Sequence, residues 1–174
     1  MAGGLAAGLL VVHFFPGASI PLLVSSTLAG PLADIDHPHS MYGHLVPLPM
    51  VHVGKENSGR VGFELPGHQV LWHRGPTHSL FIAWMVSLLA LAIGVAAGSA
   101  FAVPIAVGVL VGYLSHLALD LLNVAPIQLF WPFLVKGRRF KSISIPVGSW
   151  GEGVVLFGLV VICAALAGVL PFIR

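Results

Sequence analysis

The sequence predicts an all-α integral membrane bundle of about four transmembrane helices, forming one domain over residues 1–174. A small irregular or β-hairpin elaboration is expected on its cytoplasmic face. Three observations predict this: scarce charge, long uncharged runs, and basic residues confined to one set of loops. Of 174 residues, 57% are hydrophobic and 8% charged, against about 25% charged side chains in an ordinary soluble domain. Too few charges remain to build a water-facing surface. The net charge of +2 rests on few groups, so no nucleic-acid partner is expected, and a basic loop beside anionic lipid headgroups accounts for it.

In chain order, Ala2 to Ala33 is uncharged but contains Pro16, Gly17 and Pro21. We read it as one broken span, with two shorter helices as the alternative. It lacks the basic start of a cleaved signal and is taken as mature protein. The runs Ser79 to Gly98, Ala100 to about Asn123 and Gly153 to Ile173 each reach the ~20 residues a helix needs to cross a hydrocarbon layer. Small residues at Gly4 and Gly8, Gly94 and Gly98, and Gly108 and Gly112 have the spacing that lets helix backbones approach closely. Trp72, Trp131 and Trp150 flank the spans as an aromatic belt does.

Between the first two spans, Val51 and Val53, then Val61, Phe63 and Leu65, alternate around Glu56-Asn57-Ser58-Gly59. That pattern reads as a short hairpin. Phe140 to Ile145 alternates too and reads as a strand on the same face. Seven of the eight Lys and Arg residues (Lys55, Arg60, Arg74, Lys136, Arg138, Arg139 and Lys141) lie between Asp34 and His78 or between Asn123 and Glu152. The excess of basic residues makes these loops cytoplasmic, in a multi-pass protein of the inner membrane. Cys163 is the single cysteine, so no intrachain disulfide forms and it is read as a small apolar helix residue.

The few polar residues are concentrated at the ends of the spans. Asp34, Asp36 and His37 follow the first apolar stretch, His73 and His78 bracket the entrance to the next, and His116 and Asp120 close the third. Pro76 suits a first helical turn and puts His78 in it. His116 and Asp120 are four apart and share one helical face. Successive membrane helices alternate in direction, so these motifs meet at one surface. Charged groups beside a membrane are costly unless paired, which makes the set a functional candidate.

Carboxylates and imidazoles without cysteine suit Zn, with Mn or Fe as alternatives. One to three ions are expected: seven candidate ligands exceed the needs of one tetrahedral ion, and the excess is either a second bridged ion or an outer shell. Arg74 offers a fixed positive fork for an anionic substrate, with an interface anchor or a partner of Asp36 as the plainer roles. Glu152 enters the last span as a further ligand, a general base, or simply an acidic residue at a helix N-terminus. His13, His39, His44, His52 and His68 are read as interfacial packing.

The stretches Asp34-Ile35-Asp36-His37-Pro38, His73-Arg74-Gly75-Pro76-Thr77-His78-Ser79-Leu80 and Gly112-Tyr113-Leu114-Ser115-His116 through Asp120, then Trp131-Pro132, resemble the YdjM-like family of membrane-bound metal-dependent hydrolases. The match runs from Leu28 to about Pro132, with a fainter echo at Gly148 to Glu152. The resemblance implies an inner-membrane protein with a hydrolytic metal centre, distantly similar to zinc-dependent phospholipase C and the single-strand-specific zinc nucleases. One departure is visible: Met1 to Leu5 lacks the His that members commonly carry there, and His13 is offset.

The function expected is hydrolysis of a phosphoester at the membrane surface, with a lipid headgroup as substrate and membrane lipids as partners. The divalent ion would lower the pKa of the attacking water. Asp34 or Asp36 would bridge or ligate; His37, His73, His78, His116 and Asp120 would ligate; Arg74 would hold the substrate. The alternatives are a divalent-cation transporter and a scaffold stapled by its metal. Transport sites lie near the bilayer midplane, whereas these ligands gather at span ends.

Overall fold

The computed structural model describes residues 2–14, 20–47, 49–53, 60–65, 69–123, 127–133, 145 and 149–166. Among the described residues, five α-helices form the bundle: α1 (Ala2–Phe14), α2 (Ile20–Ala29), α3 (Leu80–Ala96), α4 (Ala102–Leu122) and α5 (Trp150–Leu166). Short 3₁₀ segments follow α2 at Gly30–Asp36 and precede α3 at Pro76–His78. Three strands, β1 (Met50–Val53), β2 (Arg60–Leu65) and β3 (Gln69–Trp72), lie between them.

The N-terminal stretch is two helices, not one broken span. Pro16 and Gly17 fall between α1 and α2, where a helix cannot continue without losing backbone bonds. The helices run back along each other: a Cβ at Gly4 would collide with the carbonyl of Ser26, and one at Gly8 with the Ser26 hydroxyl. A Cβ at Gly112 of α4 would strike the same Ser26 carbonyl. Ser26 is thus held between two backbones, an approach that only glycine permits. Its hydroxyl donates to Leu23 O at 3.0 Å, and Thr27 does the same at 2.8 Å, so polar groups in the apolar interior are satisfied by their own helix.

Ser79 caps α3, accepting from Ile82 N at 3.2 Å, and Gly98 ends the turn after it at φ +66°, the left-handed conformation that glycine adopts freely. Ser87 on α3 donates to Ala106 O on α4 at 2.8 Å. The buried core of Ala33, Ala83, Tyr113, Leu117 and Ile127 lies where the 3₁₀ segment, α3 and α4 meet, directly under the polar cluster. Outward faces are apolar: Trp84, Leu88, Leu89 and Ile93 on α3 and Phe157, Val160 and Ile162 on α5 are exposed. Among the described residues α4 is the one helix long and apolar enough to cross a membrane; Leu80–Ala96 and Gly153–Ala165 are shorter apolar helices.

The sheet is antiparallel in the order β1-β2-β3. Met50 faces Phe63 and Val53 faces Arg60 across residues 54–59, where the sequence placed a hairpin turn. The third strand was not foreseen. Its partner register pairs Gly62 with Trp72 and Leu65 with Gln69, so β3 delivers the chain directly to His73. Of the strand expected at Phe140 to Ile145, only Ile145 lies within the described residues, in a parallel bridge with Asn123.

Candidate metal centre

Three chain segments carry the cluster. The 3₁₀ segment after α2 starts with Pro31 in its first turn and ends at His37, whose extended backbone donates to Asp34 O at 2.8 Å. Ser40 Oγ donates to the same carbonyl at 2.6 Å, which pins the turn holding Asp34 and Asp36. The Pro76–His78 turn is fixed from α4, where the Tyr113 hydroxyl donates to Thr77 O at 2.6 Å. His116 and Asp120 project from the last turns of α4, four residues apart.

Four donor atoms converge. His78 Nε2 lies 3.3 Å from Asp34 Oδ1 and 3.0 Å from Asp120 Oδ2. His116 Nε2 lies 3.3 Å from each of the same two oxygens. Bonds of about 2.0–2.2 Å from zinc to nitrogen or oxygen give a tetrahedron with edges of roughly 3.3–3.5 Å. Four of its six edges are therefore present to within a few tenths of an ångström. The angles do not make hydrogen bonds: His78 Nε2, His116 Nε2 and Asp120 Oδ2 are buried without a hydrogen-bond partner among the described residues. Buried polar atoms are almost always partnered, so three orphans aimed at one point fit a cation. The donor set of two imidazoles and two carboxylates suits the same class of ion.

Around these four, other side chains set orientation. Asp36 is fully buried and already engaged, accepting from the Thr77 hydroxyl and sharing a 3.0 Å hydrogen bond with His73 Nδ1. It behaves as the carboxylate that orients imidazoles. The Asp120 oxygen turned away from the convergence point accepts from Arg74 Nη2 at 3.1 Å and Asn123 Nδ2 at 3.2 Å. Arg74 therefore positions Asp120 as well as supplying charge, and it does so from a left-handed backbone at φ 61°. A second group of donors, Asp34, Asp36, His73 and His78, adjoins the first, but an ion there would have to replace the His73–Asp36 hydrogen bond.

The sequence expectations sort accordingly. Asp34, His78, His116 and Asp120 come together as one group that could hold a metal ion, with Asp36 and His73 beside them. His37 is in neither group: its ring is 4.6 Å from that of His73 and its Nδ1 accepts from His39 N at 3.2 Å. Arg74 meets Asp120, not Asp36. Glu152 opens α5, and its side chain lies outside the described residues, as do those of His52 and His68. His13 lies in the last turn of α1, about 16 Å along the helix from Ala2 at ~1.5 Å per residue, while the start of α1 at Gly3 packs on Ser115 and Leu119 beside the cluster. His13 cannot substitute for a His at that start. Thr77, Tyr113 and Asn123 were missed. Their only sequence signal is proximity to a ligand.

Electrostatics follow from the crowding. Burial opposes charge on His78, but the carboxylates of Asp120 and Asp34 outweigh it and push its pKa up to about 11. Asp34, likewise against the effect of burial, is held well below the usual carboxylate range by His116 and His78, and Asp36 is lowered by His73 and His78. His37 is lowered by burial and then by the neighbouring His73. Without an ion, the charge on His78 contributes stability fully below its unfolded value of 6.5 and loses it as pH rises towards about 11. An ion must displace that proton. Affinity for a divalent ion is expected to rise up to about tenfold per pH unit near neutrality. Calorimetry in buffers of different protonation enthalpy would show at least one proton released per ion; no release would contradict a protonated His78.

A family model described as YdjM inner membrane protein matches residues 1–173. No curated protein and no solved structure matches the chain.

Proposed function

The chain belongs to the YdjM inner membrane protein family, and from that membership together with its cluster we propose a membrane-embedded, divalent-metal-dependent hydrolase of phosphoesters. The observation that carries the reading is the set of three buried donor atoms with no hydrogen-bond partner among the described residues, His78 Nε2, His116 Nε2 and Asp120 Oδ2, with Asp34 Oδ1 beside them. Zinc is favoured by the mixed nitrogen and oxygen set, with manganese or iron as alternatives.

A bound ion would supply positive charge to the phosphoryl oxygens and lower the pKa of a water. The protein does the rest. Asp34, His78, His116 and Asp120 hold the site; Asp36 fixes His73 and Thr77; Arg74 sets Asp120 and adds a permanent cation beside an anionic substrate. In the net reaction the oxygen of water bonds to phosphorus, the P–O bond to the alcohol breaks, and the alcohol oxygen takes up a proton. The apolar outer faces of α3 and α5 suit lipid, and aromatic rings gather at the start of α3, where Phe81 lies 6.0 Å from Trp131 and 6.2 Å from Phe133. Such a belt is typical of a membrane interface, which favours a cluster near the surface over the midplane that a transport site requires. The excess of Lys and Arg in the sequence between Asp34 and His78 and between Asn123 and Glu152 favours the cytoplasmic side.

Purified protein is expected to retain at least one zinc, manganese or iron per chain and to hydrolyse an activated phosphodiester such as bis(p-nitrophenyl) phosphate, with loss of turnover in chelator and recovery on adding the metal. Absence of all three metals, with no thermal stabilisation on their addition, would refute the metal centre. Retained metal without turnover of any phosphoester would leave a structural site. A cysteine replacing the exposed Met41 should react with a membrane-impermeant thiol reagent only after cells are broken; labelling of intact cells would reverse the orientation.

A further inference from the structure

Beside the cluster, on the adjoining stripe of α4, a cleft of about 440 Å³ opens between α1, α4 and α5. That volume falls within the ~300–1,000 Å³ typical of ligand sites. Its walls are apolar, from Leu119 and Leu122 on α4 and Val155, Leu156 and Leu159 on α5, with Ala2 and Gly3 of α1 closing one side. Asn123 lines one end of it, and the same Asn123 donates to Asp120 at 3.2 Å. The cleft thus grades from hydrocarbon-like walls to a polar end one hydrogen bond away from a proposed ligand. That gradient matches an amphiphile with its anionic group at the cluster and its chain along α5. A soluble phosphoester would leave the apolar walls unused.

We propose that this cleft binds the hydrocarbon chain of the substrate, so that the phosphoester presented to the cluster belongs to a membrane lipid that enters laterally between α1 and α5. This rests on the phosphoester reading above and specifies its substrate class. Gly153 gives a direct test. It lines the cleft, and a Cβ there meets nothing within 4 Å, so a side chain can be introduced at the edge of the cleft without displacing protein. Gly158 has equally open space on the same helix but does not line the cleft.

Binding of palmitoyl lysophosphatidate and of glycerol 3-phosphate would be compared on full-length, zinc-loaded protein in one detergent, with zinc content measured in parallel. Comparing variants in identical micelles removes the contribution of micelle partitioning. Gly153→Phe is expected to weaken lysophosphatidate binding at least tenfold while leaving glycerol 3-phosphate affinity and zinc content unchanged. Gly158→Phe is expected to change none of the three. Equal loss in both variants, or no loss in Gly153→Phe, overturns the cleft assignment and leaves the hydrolase reading intact. Failure of the wild type to bind either phosphate overturns both. Should Gly153→Phe fail to accumulate, the wild type decides: a lysophosphatidate with a mid-chain diazirine should label Leu119, Leu122, Leu156 or Leu159 on irradiation, and labelling confined to residues outside the cleft, or none, overturns the proposal.

Discussion

His116→Ala and Asp120→Ala are each expected to strip the ion from the purified protein, and the double variant to lose little more. Both donors face one point, with His116 Nε2 and Asp120 Oδ2 3.3 Å apart on the same turn of α4. Removing an outer partner of a metal ligand typically lowers affinity 10–100-fold, so loss of a donor itself should exceed about 100-fold, with turnover falling to background. Each single change already destroys the site, and groups that act as one unit are not additive. Asp120→Ala has a further consequence, because it leaves Arg74 without the carboxylate it meets at 3.1 Å. Asn123→Ala removes only an orienting bond, and its effect should stay within the 10–100-fold range. Metal content after dialysis, with affinity by chelator competition, checks all three. Full occupancy in both helix variants would mean that the cluster is a packing device.

The second large effect is expected at Gly112, which carries no chemistry. A side chain there must displace the backbone of Ser26, because a Cβ would collide with its carbonyl oxygen. Overpacking a close-fitted interior costs about 1–3 kcal/mol when side chains can give way, and backbone gives way less. Against a total stability of roughly 5–15 kcal/mol, Gly112→Leu should lower the melting temperature by about 10 °C or more, at some 2–4 °C per kcal/mol for a chain of this size. Metal affinity should fall with it, since α2 runs straight into the segment carrying Asp34. Gly158→Leu, with open space around its Cβ, should melt like the wild type. An unchanged melting curve for Gly112→Leu would contradict the close approach of α2 and α4.

The convergence of the polar residues was legible in the sequence because successive membrane helices alternate in direction. Asp34 at one helix exit, His78 at the next entrance and His116 with Asp120 at the following exit had to share a face. What was not legible depended on side-chain direction. Asp34 and Asp36 are equivalent in sequence, and only the Thr77 hydroxyl and His73 ring on Asp36 show which carboxylate is already occupied. The same holds for Arg74, whose choice of Asp120 over Asp36 depends on a backbone conformation that residue type does not announce. Pro16 and Gly17 disclosed a break in the first apolar stretch but not its sense. The reversal brings both Gly4 and Gly112 onto the Ser26 carbonyl, and the small-residue spacings said that backbones approach without naming the partner. The third strand was hidden because Gln69 to Trp72 is too short to establish a period.

Arg74 brings together two demands that pull in opposite directions. At φ 61° a side-chain-bearing residue lies in a region that costs of order 1–3 kcal/mol, and its successor Gly75 could occupy that region freely. The chain instead places the strain on the arginine, one residue early, and the result is a guanidinium aimed at Asp120. Glycine at this position would relieve that strain but take away the guanidinium that meets Asp120 Oδ1 at 3.1 Å, and depriving a buried carboxylate of a charged donor costs about 1–3 kcal/mol, the same order as the strain. Residue 74 therefore trades backbone ease against a charged contact, and a substitution that gains on one count loses on the other.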